Sequence, residues 1–315
     1  MIKYLVILLD DTSTSFCHYD NPKKEHRLIP LETLKSAILY AMKENLNIQF
    51  VYPNYPLPKE YDETIDNIDH TKIKPAACAE DGEVVVFNSI EEMGKFAKFS
   101  KGAAYVLRTD KQALFERGDS VLPILYNVER LNIVITDIET FSEADFKAYA
   151  ATLQTLADEV EKVYVADKTV QLNLLTDRMM LEEMNNCGAG ETSIAIAPDG
   201  KFYVCPAFYL SADGYGIGDL EHGLSINNTQ LYRLDHAPIC RNCDAYQCKR
   251  CIWLNRKTTL EVNTPSHEQC VVAHLERNAS RSLLQAIRKH GEFLPERDDI
   301  KEITYLDPFE KRKEW

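Results

Sequence analysis

Seven of the nine cysteines in this 315-residue chain lie between Cys187 and Cys270, and that concentration limits what the second half of the chain can become. They run Cys187, then Cys205, then Cys240-x2-Cys243-x4-Cys248-x2-Cys251, then Cys270, with Gly200 separated from Cys205 by four residues as Gly-x4-Cys. Thiolates are soft ligands that suit iron–sulfur clusters and zinc, and a two-residue gap lets a tight turn aim both sulfurs at one centre. The full pattern points to iron–sulfur clusters. The central C-x2-C-x4-C-x2-C on its own would equally suit a structural zinc held by four thiolates. The apolar opening Met1-Ile-Lys-Tyr-Leu-Val-Ile-Leu-Leu-Asp10 is too short to cross a bilayer, carries no cleavage region, and reads as a buried first strand. Without an export signal the cysteines are expected to be reduced thiols in the cytoplasm, used for metal or catalysis in place of a disulfide framework.

The formal net charge of −13 argues against tracking a nucleic-acid backbone, which needs basic patches. Short apolar runs at Ile2–Leu9, Ile48–Tyr52, Val84–Phe87, Ala103–Leu107, Ile133–Thr136 and Val170–Leu175 read as strands covered on both faces. Amphipathic stretches between them predict helices. One opens at Pro30, and another at the capping-box-like Ser142-Glu-Ala-Asp145 with Phe146, Tyr149, Leu153, Leu156 and Val160 on one face. The expected class is α/β with a parallel sheet, open or curled into part of a barrel. Pro53–Pro75 shows no convincing helix and reads as a surface excursion; its Tyr52–Tyr61 stretch is a packed loop or a set of peptide anchors. After Asp177 the periodicity gives way to a cysteine-rich region expected to be held by its metals more than by a core, with turns at Asp213–Asp219. A helix is expected from about Thr264-Pro-Ser266 to Ile287, then a surface tail with Tyr305, Phe309 and Trp315. The division is 1–178, 179–290 and 291–315.

The cysteine order resembles the SPASM domain appended to radical SAM enzymes that modify peptides, although the knot is spaced x2, x4, x2 where that family usually shows x2, x5, x3. The α/β texture before it fits the partial (β/α)6 barrel of those enzymes. Radical SAM enzymes carry C-x3-C-x2-C after the first strand, where three thiolates hold the cluster that binds S-adenosylmethionine. The corresponding loop here has Asp10, Thr14 and Cys17 at those positions. The resemblance therefore implies a degenerate radical-SAM-like protein from which no S-adenosylmethionine chemistry is expected, with Asp10, Thr14 and Cys17 as a relic or ligand site. More narrowly, Leu-Leu-Asp-Asp-Thr-Ser-x-Ser-Phe-Cys-His-Tyr-Asp, Ile-Ala-Pro-Asp-Gly and Glu-Val-Asn-Thr-Pro-Ser resemble the CXXX repeat peptide maturases. That implies a cysteine-repeat precursor peptide and a companion radical SAM maturase as partners, with no nucleic acid and no membrane.

The resemblance further implies two [4Fe–4S] clusters, one on Cys187, Cys205 and Cys251, the other on Cys240, Cys243, Cys248 and Cys270. Seven cysteines are one short of eight. Water, a substrate thiolate, Glu191, Asn186 or a distant cysteine such as Cys78 would fill the gap. Zinc in one or both sites is the alternative. Cys17-His18 reads as a buried relic or a reactive thiol. Asp10 and Asp11 bind a ligand at the strand end or cap a turn. Cys78 is read as structural, and His26, His70, His236 and His274 as ordinary polar residues. Arg241, Lys249, Arg250 and Arg256 either offset anionic thiolates or form solvated surface. Three functions follow: an accessory protein that binds the precursor for a companion enzyme, a peptide-modifying redox enzyme using an under-ligated cluster, or a zinc-stabilised peptide binder.

Overall fold

The computed structural model describes residues 1–211 and 215–301. In its first strand, β1 (Tyr4–Leu8), Leu5 and Ile7 enter one apolar cluster while Val6 and Leu8 enter another. The two-residue period of a strand sends alternate side chains to opposite faces, and here both faces are buried. The chain continues through α1 (Leu31–Lys43), β2 (Asn47–Val51), α2 (Lys59–Ile65), β3 (Thr71–Pro75), β4 (Val84–Phe87), α3 (Ile90–Gly94), β5 (Ala104–Thr109), α4 (Lys111–Arg117), β6 (Arg130–Ile135), α5 (Glu143–Val165) and β7 (Gln171–Leu172). After α6 (Thr176–Met180), β8 (Ser193–Ile196) returns to pair in parallel with β1, and β9 (Phe202–Tyr203) pairs antiparallel with β8.

The nine strands form one sheet in the order β7-β6-β5-β4-β3-β2-β1-β8-β9. From β1 to β7 each strand lies beside its successor in parallel, so the winding never reverses. That order belongs to a barrel-type (β/α) sheet and not to a doubly wound one, which changes direction at a switch point. Of the two arrangements left open by the sequence, the strand order is that of the sheet curled into part of a barrel. Helices α1 and α2 cover one face through Leu34, Ala37, Ile38, Ala41, Tyr61 and Ile65. Helices α3 to α5 cover the same face farther along the sheet. The other face, with Val6, Leu8, Val51, Ile73, Val86 and Val106, is closed by the loop after β1 and by residues from the cysteine-rich half.

Two expectations are corrected. Pro53–Pro75 is no surface excursion: it contains α2 and β3, a complete helix–strand unit. Helix α2 is short and acidic, and only Tyr61 and Ile65 are buried, with Tyr61 donating its hydroxyl to the Ile29 carbonyl at 2.7 Å. In β3 only Ile73 carries an aliphatic side chain into the core, between Lys72, paired with Asp66 at 2.8 Å, and Lys74, over the Tyr52 ring at 4.9 Å. The cysteine-rich half is also not set apart from the hydrophobic core, because β8 and β9 bury Ile194, Ile196 and Phe202 within the main sheet.

Beyond β9 lie α7 (Pro206–Leu210), the antiparallel pair β10 (Gly218–Asp219) and β11 (Gly223–Leu224), α8 (Ile252–Thr259) and α9 (His267–Arg288). Reciprocal capping boxes start α5 at Ser142 with Asp145 and α9 at Ser266 with Gln269. Tyr149 of α5 donates to Glu276 of α9 at 2.7 Å, joining the long helices. Part of the expected Asp213–Asp219 turn tract, and the aromatic tail residues Tyr305, Phe309 and Trp315, lie outside the described residues. Among the described residues no helix is long and apolar enough to cross a membrane.

Candidate functional site

Local folding explains the spacing of the cysteines. The Gly of Gly-x4-Cys closes the β8–β9 hairpin: Gly200 adopts φ +79°, a left-handed conformation natural to glycine, and donates to the Ala197 carbonyl at 2.9 Å. The hairpin returns the chain so that Cys205 becomes the N-cap residue of α7. Cys187 precedes a tighter turn at Gly188, whose carbonyl accepts from the backbone of Thr192 at 2.7 Å and Ser193 at 2.9 Å. A Cβ on Gly188 would stand 2.0 Å from the Thr192 hydroxyl. Cys251 is the N-cap residue of α8.

One cysteine group surrounds a cavity of about 340 Å³. Cys240, Cys243 and Cys248 line it from the knot and Cys270 from the first turn of α9. Backbone N–H groups point at the sulfurs, Ala245 to Cys243 Sγ at 3.5 Å and Arg250 to Cys248 Sγ at 3.4 Å. Burial pushes Cys240 up to about 11 and Cys248 up to about 12, while the Arg250 guanidinium counters part of the rise at Cys240. The knot is fastened to its surroundings by Arg277 of α9, fully buried, which donates to the Asp244 carboxylate at 2.7 and 3.0 Å. Arg178 of α6 stacks over Tyr246 at 4.2 Å. His274, taken from sequence as an ordinary polar residue, lines the same cavity with its Nε2 3.4 Å from Cys243 Sγ. Its spacing of one helical turn from Cys270 was the available signal.

The second group contains Cys187, Cys205 and Cys251, and the structure brings Cys17 to it. The negative charge each thiol would carry acts on the other three, so all six pairs lie within electrostatic reach. Burial, then the charge of Cys187, raises Cys17 to about 12 and holds Cys205 and Cys251 well above the ordinary thiol range. Cys187 is exposed. Backbone N–H groups of Ala207 and Phe208 reach Cys205, and that of Leu254 reaches Cys251.

Buried thiols held protonated are poor nucleophiles, so Cys17, Cys205, Cys251, Cys240 and Cys248 are unsuited to free-cysteine catalysis. Metal coordination deprotonates a thiol outright and removes the penalty. The donor sets fit iron–sulfur clusters: soft sulfurs, N–H groups directed at them, and nearby Arg108, Lys249 and Arg250 to offset anionic charge. Among the described residues no three His, Cys, Asp or Glu side chains gather tightly enough for a single metal ion. Four thiolates on one zinc stand only about 3.8 Å apart, from a Zn–S bond of ~2.3 Å. In a cubane each thiolate holds a different iron, and the sulfurs spread wider.

The loop after β1 does not carry three thiolates, and the Asp10 carboxylate that stands in the first of those positions keeps one oxygen, Oδ2, buried without a hydrogen-bond partner. Asp10 is fully buried and its Oδ1 accepts from Thr12 N at 2.8 Å and Thr12 Oγ1 at 2.6 Å, capping the turn. Asp11 accepts from the Tyr209 hydroxyl and faces Lys23 at 3.5 Å. Thr14 lines a second cavity of about 610 Å³ at the C-terminal ends of β1 to β5, together with Ser15, Lys24, Asn88 and Arg108. Open α/β sheets bind ligands at this end. The Ser15 hydroxyl there is buried without a hydrogen-bond partner. Arg108 of β5, not singled out from sequence, pins the loop by donating to the carbonyls of Cys17 at 2.9 Å and Tyr19 at 2.7 Å and to Asp20 at 2.6 Å.

No protein-family model and no curated protein sequence matches the chain. Solved structures do. The structure described as native anSMEcpe with bound AdoMet aligns at TM-score 0.62 and 12% identity, over 90% of this chain and 99% of that one. The same protein with bound AdoMet and Cp18Cys peptide aligns at 0.61 and 13%, over 92% and 100%. Streptococcus suis SuiB bound to precursor peptide SuiA aligns at 0.42 and 12%, over 74% and 64%. At such identities the first two likenesses are likenesses of fold: the chain has the radical-SAM-like α/β architecture expected from its sequence.

Proposed function

We propose that this chain is a cytoplasmic iron–sulfur protein of ribosomal peptide maturation. Residues 1–178 would form a degenerate radical-SAM-like domain, 179–290 a SPASM-like domain carrying two [4Fe–4S] clusters, and 291–315 a tail. Its role is to bind a cysteine-repeat CXXX precursor and assist a companion radical SAM enzyme. The observation that carries the reading is the sorting of eight of the nine cysteines into two thiol groups on this fold. The peptide held by a structure of the same fold supports a peptide as ligand, and the cavity at the strand ends is where we place it. Asp10 spent on a turn and Thr14 without a thiol support the absence of S-adenosylmethionine cleavage by this chain alone.

The reading that makes the chain an enzyme through an under-ligated cluster requires Cys17 to stand outside the group it joins here. The zinc reading uses the same soft thiolates and parts from the cluster reading in metal identity and sulfide content. The test is iron, sulfide and zinc content of anaerobically purified protein together with its electron paramagnetic resonance spectrum. About eight irons and eight sulfides per chain are expected from two [4Fe–4S] clusters. Stoichiometric zinc without sulfide would overturn the reading.

A further inference from the structure

We infer that Cys17 is the fourth ligand of the first cluster, closing a four-thiolate site with Cys187, Cys205 and Cys251, so that the loop after β1 is fastened to the cysteine-rich half through the metal. The inference rests on the iron–sulfur reading above and deepens it. Four independent features bring these residues to one place. Cys17 and Cys205 both pack against the apolar cluster on the inner sheet face, beside Trp253. Two residues beyond Cys17, the Tyr19 ring meets the Trp253 ring edge-on at 6.4 Å, and Trp253 lies two residues beyond Cys251. The Cys187 N–H donates to the Lys249 carbonyl at 3.1 Å, two residues before Cys251. Arg108 holds the Cys17 carbonyl, which fixes the backbone from which the thiol projects.

The other ways of filling the fourth position are weaker on the same geometry. Asn186 has its side-chain oxygen committed to the Gly188 N–H at 2.9 Å. Cys78 lies in the short helical turn between β3 and β4, on a different part of the sheet. A sulfur ligand, within electrostatic reach of the three thiols and of Arg108 and Lys249, is the better donor for iron. A substrate thiolate is then not needed at this cluster. What the loop supplies is coupling, because Thr12 to Ser15 line the 610 Å³ cavity while Cys17, a few residues on, holds the cluster.

The test compares full-length wild type with Cys17→Ala, Cys17→Ser and, as a control, Cys78→Ala, each purified anaerobically. The readout is the electron paramagnetic resonance and Mössbauer spectrum with and without an added small thiol, 2-mercaptoethanol. A cluster with four protein thiolates should ignore the thiol, so wild type and Cys78→Ala spectra stay unchanged. Cys17→Ala should show one distinct iron site in the first cluster, whose signal shifts when the thiol is added. Cys17→Ser, which keeps the side-chain size, should give an altered signal with the fold intact by circular dichroism. The inference is overturned if wild type itself responds to the thiol, or if either Cys17 variant has the wild-type spectrum. Wild type with iron and sulfide but an unchanged Cys17→Ala spectrum sinks this inference alone. Wild type without sulfide sinks the iron–sulfur reading with it.

Discussion

Glu276 is the buried acid whose titration the structure makes measurable. It sits on α9 between α5 and the cysteine knot, accepting from Tyr149 at 2.7 Å and from Gln247 at 3.3 Å. Burial raises its carboxyl from 4.5 to about 7, against the lowering effect of those two donors and with help from Asp177. A shift of that size corresponds to roughly 3 kcal/mol between the protonation states. Between pH 4.5 and 7 the native state keeps a proton that the unfolded chain has released. Stability from this group is therefore full below the unfolded value and falls as pH rises through the folded one. Glu276→Gln cannot titrate. At pH 5 its amide faces the Gln247 amide, which also serves the Ala273 carbonyl at 2.7 Å, and one poor contact costs about 1 kcal/mol. At pH 8 the relief of the buried charge exceeds that cost, and the variant should be the more stable by about 2 kcal/mol. The assay is the thermal midpoint of cluster-loaded wild type and variant at one scan rate from pH 5.5 to 8, read as their difference. The difference should change sign across the range. A flat difference would refute the argument that Glu276 is buried and protonated.

Three further outcomes follow from the geometry. Reduced, cluster-loaded protein incubated with S-adenosylmethionine should give no 5′-deoxyadenosine above background by chromatography; its appearance would show that one thiolate after β1 is enough. Ser266→Ala removes the capping box of α9 and should cost about 1 kcal/mol in thermal unfolding, with faster loss of iron in air because Cys270 lies in the turn that the cap fixes; an unchanged midpoint would show the helix start is held by other contacts. Arg108→Met deletes the donors that pin the loop after β1, so hydrogen exchange should quicken at residues 16–20 while β1 and β5 keep their protection, a contrast that uniform exchange would contradict.

Much of the scaffold was legible because its signals are local. The two long helices announce themselves through Ser142 with Asp145 and Ser266 with Gln269, and each begins where those caps place it. Val84–Phe87 is a strand at the expected residues, since an all-apolar run buried on both faces leaves no competing pattern. β3 was hidden for the opposite reason. Its lysines flank a lone aliphatic residue, and what makes it a strand is the partner on each side, β2 and β4, which no local window contains. β8 was masked by the change of texture around Cys187, although Ile194 and Ile196 alternate with Ala195 as a strand requires.

The candidate site divides along the same line. The knot Cys240 to Cys251 was visible because its members are neighbours in sequence. The place of Cys17 was not, because 170 residues separate it from Cys187 and no local window contains both. Its neighbours show only in three dimensions, where Cys17 and Cys205 pack against one apolar cluster beside Trp253 and the thiols of Cys187, Cys205 and Cys251 all lie within electrostatic reach of Cys17. Arg108 fits the same logic, since an arginine buried on β5 that donates to the Cys17 and Tyr19 carbonyls is costly to keep unless the loop it fixes has a position to hold.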